Sequence, residues 1–155
     1  MKKTMPTSLR NHVVFILFDG LRPDLITPAN TPNLCRLSRQ GVMLERQRTV
    51  FPSETRIAMT SLVTGATPDR HGIVGNRYFD RSAAGRFAVN TADHRLIEKL
   101  DTESGGRLLG VPSLGEILAA HGRSLAVLAS NSAGATRLFN HKARALGHAT
   151  LSGHF

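Results

Sequence analysis

Residues 50–76 read VFPSETRIAMTSLVTGATPDRHGIVGN and residues 12–20 read HVVFILFDG. How these two stretches are read decides the fold. Residues 13–18 form an unbroken apolar run, VVFILF. Such a run predicts a strand buried on both faces of a parallel sheet. It stops at Asp19-Gly20, which puts a carboxylate at the C-terminal end of the strand, where open α/β sheets hold their ligands. In the longer stretch Val50-Phe51 ends a possible second strand and Pro52 stops it. Met59, Leu62 and Val63 then fall on one helical stripe, with Gly65 as the stop. That places Thr55 at or just before the first helical turn, where free backbone N–H groups and the helix dipole favour an anion. A hydroxyl presented there is a reasonable nucleophile.

Working outward, residues 1–11 read as a polar, flexible tail. After a loop with Pro23 and Pro28, Thr31 caps a helix over residues 32–40, with Pro32 at its first position and Gly41 closing it. Leu34 and Leu37 are expected to face the sheet. Residues 42–50 have mixed polarity and fit an edge or half-buried strand. Residues 66–76 read as a loop, in which His71 takes a structural hydrogen-bonding role. Residues 77–106 are polar, Gly-punctuated and without clear periodicity, and read as an insertion or a cover over the site. From residue 111 the signals sharpen. Ser113-x-x-Glu116 is a capping box, and Leu114, Ile117, Leu118 and His121 follow helical spacing up to Gly122. Residues 125–129 read as another buried strand. Ser130 to Gly134 reads as a connecting turn with an N-cap rather than a phosphate loop, and residues 149–155 begin one more strand. This alternation implies an α/β fold with a mostly parallel sheet sandwiched by helices.

Bulk composition bounds the function. The 155 residues suffice for one domain with a core. The 41% hydrophobic and 20% charged content is that of an ordinary globular chain. The net charge is +9, and all basic residues but Lys2, Lys3, Lys99 and Lys142 are arginine. These residues are scattered, aromatics make up 5%, and there is no Trp, so the pattern of a nucleic-acid binder is missing. A single cysteine, Cys35, cannot make an internal disulfide and reads as a small core residue. The run after Lys2, Lys3 and Arg10 is too short for a signal peptide, and no stretch approaches a membrane span. The expectation is therefore a cytoplasmic protein that engages no membrane.

Several separate pieces now line up. They are Asp19-Gly20, Phe51-Pro52-Ser53-x-Thr55, Ser61-Leu62-Val63-Thr64-Gly65, Pro68, and His71-Gly72-Ile73-Val74-Gly75-Asn76. In this order and with these gaps they resemble the type I phosphodiesterase/nucleotide pyrophosphatase branch of the alkaline phosphatase superfamily. The resemblance covers roughly residues 12–152, and its specific part is 12–76. It implies an alkaline phosphatase-like sheet sandwich, of which residues 12–155 would be the N-terminal part. It also implies two zinc ions, with Asp19 as a carboxylate ligand and Thr55 as a metal-held nucleophile. Asn76 would donate a hydrogen bond to a phosphoryl oxygen, and the substrate would be a small phosphorylated molecule. Metal coordination would lower the Thr hydroxyl pKa, and two metals can hold the attacking and leaving oxygens in line. An amide N–H stabilises phosphoryl charge without titrating.

The chain departs from the family in two ways. Relatives commonly carry Pro-Asn shortly after the nucleophilic Thr, whereas this chain has Arg56-Ile57-Ala58, which bears on nucleotide specificity more than on reaction type. Relatives also supply Asp and His ligands from later in the chain, including an Asp-His pair. Asp93-His94 comes too early and reads as a coincidence. His141, His148 and His154 lack a carboxylate partner, and the last Asp is Asp101. The expectation is an N-terminal half that is close to inactive alone. A phosphonoacetate hydrolase or related hydrolase is the enzyme alternative. An inactive remnant that binds an anion or a partner is the alternative outside enzymes.

Overall fold

The computed structural model describes residues 12–80 and 88–153. The chain divides into two compact units, Met1–Glu45 and Arg46–Phe155. The expected tail over residues 1–11 lies outside the described residues.

In the first unit a 3₁₀ turn, Pro23–Leu25, precedes helix α1, Pro32–Gln40. Pro32 at the helix start and Gly41 at its end act as expected, the Gly41 N–H donating to the Leu37 carbonyl at 2.9 Å. The Thr31 hydroxyl does not cap the helix; it donates back to the Thr27 carbonyl. Cys35 is the buried residue of α1, but Leu37 is 57% exposed, so the expected apolar face is only partly covered. The predicted strand over residues 13–18 is absent. These residues have no strand pairing among the described residues and run from 51% exposed at Leu17 to 91% at Val13. Residues 42–50 are likewise not a strand. The physical reason is the same for both. A helix closes its hydrogen bonds within its own segment, but a strand takes them from a neighbour.

In the second unit, helix α2, Thr55–Thr64, is followed by a short helix α3, Pro68–His71, in place of the expected plain loop. Gly65 ends α2 at φ 63, a left-handed turn that a side chain would resist. Strands β1, Arg77–Phe79, and β2, Ala88–Asn90, pair antiparallel, with Tyr78 opposite Val89. Helix α4, His94–Glu103, follows. The described residues of 77–106 thus hold an antiparallel strand pair and a helix in a stretch without visible periodicity, and residues 81–87 lie outside the described residues. Asp93 Oδ1 accepts from the N–H of Arg95 and Leu96 at 2.9 and 3.3 Å, so Asp93-His94 is the start of α4.

Helix α5, Leu114–Ala120, begins at the expected capping box, with Ser113 N–H donating to Glu116 Oε2 at 2.9 Å. Its expected stripe is not the buried one: Leu114 and Ile117 are 41% and 46% exposed, while Ser113 and Gly115 are buried. Leu62 of α2, at 45%, is also on an open face. Strand β3, Val127–Ala129, then helix α6, Ala133–Phe139, helix α7, Ala143–Leu146, and strand β4, Thr150–Ser152, complete the unit. β3 and β4 pair in parallel, with Leu128 opposite Leu151. Only Val127 of the expected buried strand is covered, and Leu128 is 76% exposed. The described residues therefore hold one parallel and one antiparallel pair, rather than the expected mostly parallel sheet between helices.

The core of this unit is Ile57, Ile73, Ile97, Leu109 and Leu138, with Val50 and Leu108 packed against it. Full burial of each such side chain contributes about 1.5–3 kcal/mol. α2 packs on α6, and α6 on α4. Gly134 makes the start of α6 possible: a Cβ there would run into the Thr91 carbonyl oxygen, and its N–H donates to the Ala92 carbonyl at 2.8 Å. Ser132 caps α6 through the Ala135 N–H, as expected for a connecting turn. His141, expected to lack a carboxylate partner, is 2% exposed, with Nε2 4.0 Å from Asp101 Oδ1 and 3.9 Å from Glu116 Oε2. Those carboxylates lie 40 and 25 positions earlier, too far to be read as neighbours. Burial outweighs them and holds the His141 pKa below its ordinary value.

Candidate active site

Thr55 is the first residue of α2. The first helical bond runs from the Ala58 N–H to the Glu54 carbonyl at 2.9 Å. The N–H groups of Thr55 and Ile57 find no acceptor among the described residues, and the Thr55 hydroxyl makes no hydrogen bond among them. A half-buried hydroxyl thus stands at a helix start with free donors beside it, an arrangement that attracts an anion.

Asn76 lies at the same helix start. The Arg56 N–H donates to Asn76 Oδ1 at 3.4 Å. A backbone N–H can only donate, so the amide atom facing it is the oxygen, and Nδ2 is left to donate elsewhere. The Asn76 backbone is held from both sides. Its N–H donates to the Glu54 carboxylate. Its carbonyl accepts from Thr91 Oγ1 at 2.8 Å, from the Thr91 N–H at 3.1 Å and from Arg56 Nη2 at 3.4 Å.

Arg56 is the hub of this arrangement. Besides Asn76 it donates through Nε to Thr91 Oγ1 at 2.7 Å and through Nη1 to Ser132 Oγ at 3.4 Å. Burial lowers its pKa, the Glu54 charge acts in the opposite direction, and Arg77 adds to the lowering. Sequence reasoning treated Arg56 only as a departure from relatives. Its position next to Thr55 was the available signal for a role. Thr91 and Ser132 carried no signal, because they meet α2 only through the folding of the hairpin and α6.

His71 supports the site from behind, as the structural reading expected. It is fully buried, and its Nδ1 accepts from the Ile73 N–H at 3.1 Å. In the neutral ring the proton is then on Nε2, which donates to Ser61 Oγ at 2.8 Å. This ties α2 to the segment leading to Asn76. Burial pushes the His71 pKa down, against a smaller opposing effect of Asp69.

Asp19 lies in the first unit, exposed, at the turn where Gly20 adopts φ 75. Thr55 and Asn76 are in the second unit, on either side of the Arg56 contact. Among the described residues no group of three or more His, Cys, Asp or Glu is placed to hold a metal ion. The residues present do not by themselves form the two-zinc centre that the resemblance implies. No helix among the described residues is long and apolar enough to cross a membrane.

The sequence matches known proteins over much of its length. The profile of the family described as type I phosphodiesterase / nucleotide pyrophosphatase matches residues 13–133. The chain is 37% identical over 78 residues to a bis(5'-adenosyl)-triphosphatase of Xenopus laevis, covering 50% of this chain and 17% of that protein. It is 38% identical over 79 residues to an uncharacterized pyrophosphatase/phosphodiesterase of Schizosaccharomyces pombe, covering 51% and 16%. Against the human ectonucleotide pyrophosphatase/phosphodiesterase family member 7 the identity is 31% over 74 residues, covering 48% and 16%. The matched region is thus less than a fifth of each relative's length. No solved structure gives a significant match. The Asp19-Gly20, Pro52-Ser53-x-Thr55 and Gly75-Asn76 pieces all fall inside the matched region, and the chain belongs to the type I phosphodiesterase / nucleotide pyrophosphatase family.

Proposed function

We propose that this chain carries the nucleophile end of a hydrolase acting on phosphoric esters, with phosphodiesters or nucleotide pyrophosphates as the substrate class. The observation that carries the reading is the pairing at the start of α2, where the Thr55 hydroxyl stands beside an Asn76 carboxamide held by the Arg56 N–H. In this reading Thr55 Oγ1 attacks phosphorus and gives up its proton to solvent, the P–O bond to the leaving group breaks, and the leaving oxygen departs with the electron pair and takes a proton from water to become the alcohol or phosphate. Water then cleaves the phosphoryl-threonine bond and restores the hydroxyl. Asn76 Nδ2 donates to a nonbridging oxygen as charge gathers there. The free N–H groups and dipole of the helix start favour the same charge.

The printed names of the relatives support this substrate class, since they describe a bis(5'-adenosyl)-triphosphatase and pyrophosphatase/phosphodiesterases. The family resemblance extends the reading to two zinc ions, with Asp19 and Thr55 among their ligands.

Two variants test this. In the full-length enzyme, Thr55→Ala should lower hydrolysis of bis(p-nitrophenyl) phosphate by about a thousandfold or more, because the covalent route is gone; wild-type turnover in that variant would remove Thr55 from the mechanism. Asp19→Asn should lower bound zinc, measured by elemental analysis, together with activity. Unchanged zinc would make Asp19 a structural residue of the Gly20 turn.

A further inference from the structure

We infer that Arg56 is a positioning residue for the reaction: its guanidinium locks the Asn76 backbone so that the carboxamide presents Nδ2 at the Thr55 helix start. The inference rests on the functional reading above and adds to it a residue that is absent from the family pattern.

The geometry is specific. The guanidinium reaches the buried Thr91 hydroxyl at 2.7 Å, the Ser132 hydroxyl at 3.4 Å and the Asn76 carbonyl at 3.4 Å. These three acceptors come from the hairpin, the cap of α6 and the segment before β1. One planar group therefore ties three elements to the first turn of α2. The planarity matters because an arginine offers several donors in a fixed fork, whereas a lysine offers a point charge on a flexible stem.

Asn76 is the shared partner. Its carbonyl accepts from Arg56 and twice from Thr91, and its Oδ1 accepts from the Arg56 N–H. With the backbone fixed, χ1 and χ2 remain, and the bond to Oδ1 restrains both. The acceptors of the guanidinium are all neutral oxygens, so its charge is not cancelled by a direct ion pair there. The carboxylate whose charge acts on Arg56, Glu54, accepts from the Asn76 N–H. Arg56 thereby also offsets the Glu54 charge at a helix start that must accept an anion.

The test uses the whole protein as it exists and reads two quantities. The first needs no turnover: the Asn76 Nδ2 proton pair is followed by ¹⁵N-correlated NMR and assigned by its loss in Asn76→Asp. In Arg56→Ala the pair should move to the position of a solvated asparagine, and Arg56→Lys, which keeps the charge but loses the fork, should move it part of the way. Guanidinium ion at millimolar concentration should return it toward the wild-type position in Arg56→Ala. The second quantity is the steady-state kinetics on bis(p-nitrophenyl) phosphate. Misplacing one donor should cost about a hundredfold in kcat with KM within a few-fold. A purely structural arginine would lower the melting temperature and leave kcat per folded molecule unchanged. An Asn76 pair that does not move in Arg56→Ala overturns the inference, as does a kcat that does not fall. If the full-length enzyme does not hydrolyse the diester at all, the functional reading fails, while the Asn76 signal still decides whether Arg56 places that side chain.

Discussion

The start of α2 and the apolar run at residues 13–18 were the two strongest signals in the chain, and they fare differently. At α2 the helix runs from Thr55 to Thr64, its Gly65 stop adopts a left-handed turn, and Ile57, Met59 and Val63 are buried. At residues 13–18 the side chains are at least half exposed, and no strand forms among the described residues. The second case repeats at β3 and β4, where Leu128 and Leu151 are paired in register but 76% and 63% exposed. A helix answers to its own residues, because capping, periodicity and stop signals lie within it. A sheet segment answers to whatever pairs with it and covers it, and that information is written elsewhere in the polypeptide.

The contrast can be broken by mutation. Ile57 is fully buried in the five-residue core, so Ile57→Ala should cost about 2–5 kcal/mol of stability by lost burial and cavity formation. Leu128→Ala should cost less than about 0.5 kcal/mol, because an exposed leucine has little burial to lose. Urea melts of the two variants measure both. A Leu128→Ala cost equal to that of Ile57→Ala would show that β3 is covered in solution, and the contrast between helix and sheet would fail.

A smaller effect sharpens the picture at the site. His71 and His141 are both buried with pKa values pushed below the ordinary histidine value. Well above about pH 6.5 both are neutral folded or unfolded and add no pH dependence. As the pH falls through that value, the unfolded chain takes up protons that the folded chain does not, so the folded state loses stability. Protonating His71 at Nδ1 would also displace the Ile73 N–H. Melting temperature should therefore fall between about pH 6.5 and 5, and His71→Gln should flatten that slope in part. A stability that rises on acidification over the same range would contradict the assigned ring tautomer and burial.

The helices with local signals were legible: α1 from Pro32 and Gly41, α2 from its stripe and Gly65, and α5 from Ser113 and Glu116. The helix α4 was not, although Asp93 caps it, because a lone cap residue in a polar stretch without apolar periodicity does not by itself announce a helix. At the site, Thr55 and Asn76 were named from the motif pieces, and the structure puts them at one helix start. Arg56 was visible only as a mismatch. Its partners Thr91 and Ser132 sit 35 and 76 residues away, and hydrogen bonds of that span have no local pattern. His141 shows the same limit, since its two carboxylate neighbours come from α4 and the start of α5.

The central claim is that Thr55 takes the phosphoryl group. Rapid acid quenching of the protein with a p-nitrophenyl phosphodiester, followed by mass spectrometry of its peptides, addresses this directly. The account predicts a phosphoryl-ester adduct on Thr55, formed in step with p-nitrophenol release and absent in Thr55→Ala. Release of p-nitrophenol at the wild-type rate by Thr55→Ala, or an adduct on a residue other than Thr55, would contradict it.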